Sequence, residues 1–229
     1  KIFKGIRRGD ADVARLQVRV SKPRRSQGEF IVSAHLLGRQ NGREQLHAAG
    51  ELVLGAGYPE EATPKLAVSP ADSRSVSQPY DLLFHGPAFL GIESVEACTP
   101  AGIIVQSRTA GPPAEWMPQP LRSAWLADPL AIDVALQALI VWSRTFRQRP
   151  CLPSGFGSYR QYRRSFPTEG VRVVVAVTNS VDHLVRADVE FQDLAGRVVA
   201  TVTDVKNTLD SALERVFGEN EMRGGSPSA

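Results

Sequence analysis

Asp133 and Gln137 stand four residues apart in an otherwise apolar run, DPLAIDVALQALIVWSRTF, covering 128–146. On a helix that spacing puts both side chains on one face. A carboxylate in such surroundings costs several kcal/mol unless it is paired or protonated. Burial raises its pKa above the ordinary value of about 3.9. A carboxyl held neutral near pH 7 can give its proton to a leaving group. The same pattern fits a buried Asp tied to a backbone group or an Arg, with Gln137 filling a gap. Structural networks perturb carboxyls too, so residue types and spacing leave both readings open.

The element that must carry this pair announces itself at its start. Asp128 followed by Pro129 is an N-cap and then a residue suited to the first helical position. From Leu130 to Trp142 almost every residue is apolar. A surface helix would show a polar stripe; this one shows none, so protein should wrap it on all sides. It is short and closely flanked by Arg, which argues against a membrane span.

Around this helix the pattern is β. Residues 13–20 alternate, with Ala14, Leu16, Val18 and Val20 expected to face inward. Residues 30–37 and 45–54 read as two more strands, joined by a turn containing Asn41-Gly42. In the latter, Leu46, Ala48, Gly50, Leu52 and Leu54 share a face opposite His47. His35 and His47 read as strand residues rather than catalysts. The stretch 56–79, with Pro59, Pro64, Pro70 and Pro79, reads as a linker. Strands are then expected at 91–98 and 102–109, a Pro-rich crossing at 112–120, the helix, and β runs at 158–164, 171–179, 184–192 and 197–208. One sheet curled around one apolar helix would bury that helix. The end of the tail, 211–229, is small and polar from 220 onward and reads as disordered.

With 42% hydrophobic and 22% charged residues the chain reads as soluble and globular. Cys98 and Cys151 have no metal-ligand spacing, which suggests a reducing, cytoplasmic setting. Basic residues gather in 1–25 and again at Arg144, Arg147, Arg149, Arg160, Arg163 and Arg164. Without a nucleic-acid motif beside them, they read as a solvated face rather than a docking patch.

Two stretches and their order carry a resemblance to a known family. LFHGPAFLGI, residues 83–92, is similar to the aromatic-Gly-Pro-x-Phe-Gln-Gly segment of polyketide synthase dehydratase domains. DVALQ, residues 133–137, resembles their Asp-x-x-x-Gln/His helix motif. Leu152-Pro153-Ser154-Gly155 looks like their Leu-Pro turn beside the substrate tunnel. The dehydratase domains of polyunsaturated fatty acid synthases and enediyne-type synthases resemble the chain more nearly still. The resemblance implies an α+β double hot-dog, a curved antiparallel sheet around a central helix in each half. Residues 1–55 would be the remainder of the first hot-dog and 80–210 the second. It implies elimination of water from a 3-hydroxyacyl thioester, with no cofactor beyond the phosphopantetheine of an acyl carrier protein. Asp133 would be the acid and Gln137 its support. Tyr80, His85, Gly86, Pro87, Phe89, Pro153 and Gly155 would line the substrate's path, and no metal is implied. The implied partners are the carrier protein, other synthase domains and a second copy in a homodimer, without nucleic acid or membrane.

The chain also departs from the pattern. Leu90 stands where the family has Gln. The family's base motif, His-x-x-x-Gly-x-x-x-x-Pro, does not occur: none of His35, His47, His85 and His183 has Gly four residues later. We expect the base to lie upstream of Lys1; His85 as a replacement is the less favoured reading. Two further readings compete: a non-catalytic dehydratase-like domain that docks carrier protein or dimerises, and a hot-dog thioesterase or isomerase using the same Asp.

Overall fold

The computed structural model describes residues 1–6, 15–40 and 42–214, and the chain divides into two units, Lys1–Tyr58 and Pro59–Ala229. The first is a four-stranded antiparallel sheet of β1 (Gln17–Val20), β2 (Arg24–Ser26), β3 (Glu29–Gln40) and β4 (Arg43–Leu54). β3 and β4 form the expected hairpin, and β1 and β2 pair in turn along the other edge of β3. Gly42 supplies the positive φ of +76° that the hairpin turn needs, while Asn41 lies outside the described residues.

One expectation fails in this unit. Leu16, Val18 and Val20 do not face a core: they are 45%, 66% and 57% exposed. Ala14 lies outside the described residues. Alternation correctly puts these side chains on one face, but among the described residues of this unit there is no helix to cover it. A sheet face is buried only when another layer packs on it. His47 behaves as a strand residue, its Nδ1 3.0 Å from the Lys4 carbonyl.

The second unit is a seven-stranded antiparallel sheet against which one long helix lies, the hot-dog arrangement. Its strands are β5 (Ile92–Thr99), β6 (Gly102–Ser107), β7 (Cys151–Gly155), β8 (Ser158–Gln161), β9 (Val171–Val181), β10 (Leu184–Gln192) and β11 (Val198–Leu209). The order is β5-β6-β9-β10-β11-β7, with β8 also paired to β11. Register shifts in β10 and β11 mark bulges, which bend strands and strengthen their twist.

A short helix α1 (Pro113–Trp116) interrupts the Pro-rich crossing before the long helix α2 (Pro129–Arg147). Asp128 caps α2 as its sequence requires: one carboxylate oxygen accepts from Ala131 N at 2.8 Å, the other from Ala110 N at 2.9 Å. Gln148, in the left-handed region, ends the helix. Val134, Ala138, Leu139, Val141 and Trp142 are buried among Ile103 and Val105 of β6 and Val173 and Val175 of β9. The Trp142 indole N–H donates to the Thr99 carbonyl at 2.8 Å, satisfying its one polar atom.

Two segments differ from the sequence reading. Residues 152–155 belong to a strand rather than a turn. Among the described residues β7 pairs only with β11 and lies at the sheet edge, where a Pro is tolerated. The stretch 56–79 contains no strand or α-helix, as its prolines dictate, but from Pro59 onward it belongs to the second unit. Glu190, buried, accepts from the backbone N–H groups of Lys65 and Leu66. Val68 is buried with Ala97, Ile104 and Val174 on the sheet.

Candidate active site

Three side chains meet at the first half of α2. Gln137, wholly buried, donates from Nε2 to the Asp133 Oδ2 at 2.6 Å and to the Phe89 carbonyl at 2.8 Å. His85 brings its Nε2 to 3.6 Å from the same Asp133 Oδ2. The Asp133 side chain is 26% exposed and that of His85 12%. Asp133 therefore reaches toward solvent, while its supports lie deeper.

The local fold explains why these groups converge. A 3-10 turn, Pro79–Leu82, and a second, Pro87–Phe89, bring the segment before β5 across α2. Pro stands at the start of each, where its fixed φ suits a tight turn. Gly86 precedes the second turn in extended backbone. Gly91 then lets the chain pass very close to α2: a Cβ there would come within 2.6 Å of Val134 Cγ2 and 2.9 Å of Leu130 Cδ1. This approach puts the Phe89 carbonyl within reach of Gln137. Tyr80 accepts from Ile92 N through its hydroxyl and so ties the first turn to the start of β5.

Burial dominates the electrostatics. It raises the Asp133 carboxyl above the usual carboxylate range, against the opposing effects of the Gln137 hydrogen bond and His85. Burial also lowers His85 below the usual imidazole value, with Asp133 opposing. Both shifts favour a neutral acid beside a neutral imidazole. Asp128 is raised by burial as well, but its oxygens are taken up by capping. In Asp133 the hydrogen bond from Gln137 and the approach of His85 both fall on Oδ2. A partly exposed neutral carboxyl, braced through one oxygen, can donate a proton from the other.

Of the residues singled out from sequence, the structure brings Asp133, Gln137, His85 and Phe89 together, with Tyr80, Gly86 and Pro87 in the adjoining turns. Pro153 and Gly155 lie on β7, which meets α2 where Cys151 Sγ lies 3.6 Å from the Leu139 carbonyl, about 9 Å along the helix from Asp133. A cleft of about 450 Å³, lined by Ser73, Arg74, Val76, Pro79, Glu93 and Glu96, does not include Asp133.

Sequence reasoning missed three neighbours. Phe84 stacks on His85 with ring centroids 4.4 Å apart. Gly91 carries the close approach just described; a Gly directly before a strand is its only signal. Trp116 packs edge-on against Phe89 at 5.3 Å and against Trp125 at 5.9 Å, extending the apolar wall. Two members of the second basic group form ion pairs inside the chain: Arg144 with Glu214, and Arg163 with Asp193 and Glu61. Among the described residues no helix is long and apolar enough to cross a membrane.

Comparison with known proteins agrees with this fold. The family described as polyketide synthase dehydratase N-terminal domain matches residues 61–212, more than half of the chain. A polyunsaturated fatty acid synthase polypeptide of Thraustochytrium sp. is 31% identical over 102 residues, 44% of this chain. The match spans only 4% of that much longer relative. Among solved structures, the dehydratase domain from the CurF module of curacin polyketide synthase superposes with a TM-score of 0.68 at 16% identity. It covers 91% of this chain and 73% of that one. The CurK dehydratase domain of the same synthase gives 0.66 at 18% identity, over 92% and 74%. The dehydratase domain of PpsC from Mycobacterium tuberculosis, in complex with C12:1-CoA, gives 0.59 at 21%, over 85% and 68%. At these identities the likeness to solved structures is one of fold.

Proposed function

The chain belongs to the polyketide synthase dehydratase family, and from that premise we propose that Asp133 is the acid of a dehydration reaction. The substrate is a 3-hydroxyacyl thioester carried on the phosphopantetheine of an acyl carrier protein. A base removes a proton from C2, the C2–C3 double bond forms, and the C3–O bond breaks. Asp133 gives its Oδ1 proton to the departing hydroxyl, which leaves as water, and a 2-enoyl thioester remains. The observation that carries this reading is a largely buried carboxyl, its proton held more tightly because of that burial, braced on Oδ2 by Gln137. Gln137 holds the carboxyl through α2 and ties it to Phe89 O, so a shift of the turn at 87–89 moves the acid. No base is assigned, because the family's His motif does not occur in these residues.

Residues 80–210 act as the second hot-dog of a pair and 1–55 as the end of the first. The description of the matched family names an N-terminal domain, so this ordering rests on the motifs. The domain works without a cofactor of its own, in the cytoplasm, beside other synthase domains and as a homodimer. The acyl-CoA bound to the PpsC domain supports an acyl thioester as the ligand class. Tyr80, Gly86, Pro87 and Phe89 flank its path near the acid.

One rival is a domain that docks carrier protein without chemistry, and another is a hot-dog thioesterase or isomerase that uses the same Asp. The test offers the full-length gene product 3-hydroxyacyl, saturated acyl and enoyl thioesters and follows them by mass spectrometry. Loss of water from the 3-hydroxyacyl thioester alone is expected. Release of free thiol would establish a thioesterase, and movement of a double bond an isomerase. Binding without turnover would establish the non-catalytic reading.

A further inference from the structure

We infer that His85 is a positioning residue for Asp133, holding its carboxyl by the imidazole Nε2–H rather than serving as the base. The activity part of this inference rests on the dehydration reading; the pairing itself does not.

Gln137 Nε2 donates to Asp133 Oδ2 at 2.6 Å, and His85 Nε2 lies 3.6 Å from the same oxygen. Gln137 can only donate there, so Oδ2 is the accepting oxygen, and when the carboxyl is protonated Oδ1 carries the proton. A neutral imidazole bears its hydrogen on one nitrogen. Nδ1 of His85 is buried and has no hydrogen-bond partner among the described residues. Placing an N–H there would strand a buried donor, whereas placing it on Nε2 aims it at an acceptor. The Nε2–H tautomer follows. At 3.6 Å the contact is longer than a formed hydrogen bond, and a movement of about half an ångström closes it. Phe84, stacked on the ring, limits how the imidazole can turn.

The same geometry disfavours His85 as the base. Its one nitrogen near the site faces the acid, and the other is buried. When Asp133 gives up its Oδ1 proton, negative charge spreads to Oδ2, where Gln137 already donates and His85 Nε2 lies 3.6 Å away. His85 therefore acts after the ground state, on the carboxylate that proton transfer creates. Its sequence setting, His-Gly-Pro, encodes a turn that presents an imidazole to α2.

Two measurements test this. The first reads the ring-nitrogen shifts of His85 by NMR in the 229-residue protein labelled with ¹⁵N-histidine. The neutral Nε2–H tautomer at pH 7 is expected; the Nδ1–H tautomer or the imidazolium would overturn the pairing. The second compares His85→Gln and His85→Leu in the full-length gene product. Gln places an amide N–H where Nε2–H was and should keep most of the wild-type kcat. Leu should lose roughly ten- to hundredfold in kcat, the worth of one hydrogen bond to an ionised group, with KM little changed. His85→Gln as inactive as His85→Leu would mean that the imidazole itself transfers the proton, and would overturn the inference. So would full activity in His85→Leu. Absence of wild-type dehydration would overturn the dehydratase reading alone, and the tautomer would still decide the pairing.

Discussion

Replacing Gln137 by Leu separates what holds the fold from what holds the acid. The two side chains are similar in size, so packing inside the buried face of α2 is largely kept. Gln137 donates to Phe89 O and to Asp133 Oδ2, and its own Oε1 is buried without a partner among the described residues. Leu removes one of two donors to the Phe89 carbonyl, which still accepts from the Gly91 N–H at 2.9 Å; one lost hydrogen bond costs about 0.5–1.5 kcal/mol. Leu also removes Oε1, whose burial without a partner costs about 1–3 kcal/mol in the wild type. The two effects oppose each other, and Asp133, partly exposed, can take water in place of the lost donor. Stability should therefore change by no more than about 1–2 kcal/mol, read from chemical denaturation. Dehydration per folded molecule should fall roughly tenfold or more, because the acid loses the hydrogen bond that braces it. A stability loss above about 4 kcal/mol would show that Oε1 is engaged in the folded protein and that the offset does not exist. Full activity would show that Gln137 does not hold the acid.

Other outcomes follow from the same geometry. Gly91→Ala should destabilise the second unit by about 1–3 kcal/mol, because its Cβ overlaps Val134 and Leu130 on α2; an unchanged melting temperature would show that β5 can move away freely. Asp133→Asn should change the dependence of stability on pH. The folded carboxyl is raised, so the folded state holds this proton more tightly than the unfolded chain. Its contribution is full below the ordinary carboxylate value and is lost as pH rises through the folded one. Asn has no such proton, so the variant should gain on the wild type as pH rises above about 4. Shifts from His85 and Tyr80 are present in both proteins and largely cancel. A variant that instead falls behind with rising pH would mean an ionised, paired Asp133.

Much of the fold and half of the site are legible in the chain, and the exceptions share a cause. The Asp128-Pro129 cap and the unbroken apolar run specify α2 locally, and the alternation in β9, β10 and β11 specifies strands the same way. Asp133 and Gln137 can be paired from helical spacing alone. What cannot be read depends on distant partners. Pro153 looks like a turn residue until β11 is seen to lie on one side of its strand only. The prolines of 56–79 exclude a strand, but not the backbone bonds to Glu190, more than a hundred residues away. The inward face expected for Leu16, Val18 and Val20 needs a covering layer that alternation cannot supply. The Gly-Pro context of His85 suggests a place on the substrate's path, because nothing local to it indicates Asp133. The local motif encodes the turn, and the tertiary fold gives that turn a target.

The measurement that bears most directly on the acid is turnover of a 3-hydroxyacyl carrier-protein thioester by wild type and Asp133→Asn in the full-length gene product, normalised to folded protein. Asn preserves the size of the side chain and an acceptor for Gln137, so folding and substrate binding should persist. An amide cannot deliver the proton, so kcat should fall by about a hundredfold or more. Wild-type turnover in a folded Asp133→Asn protein would contradict the account and remove Asp133 from the chemistry.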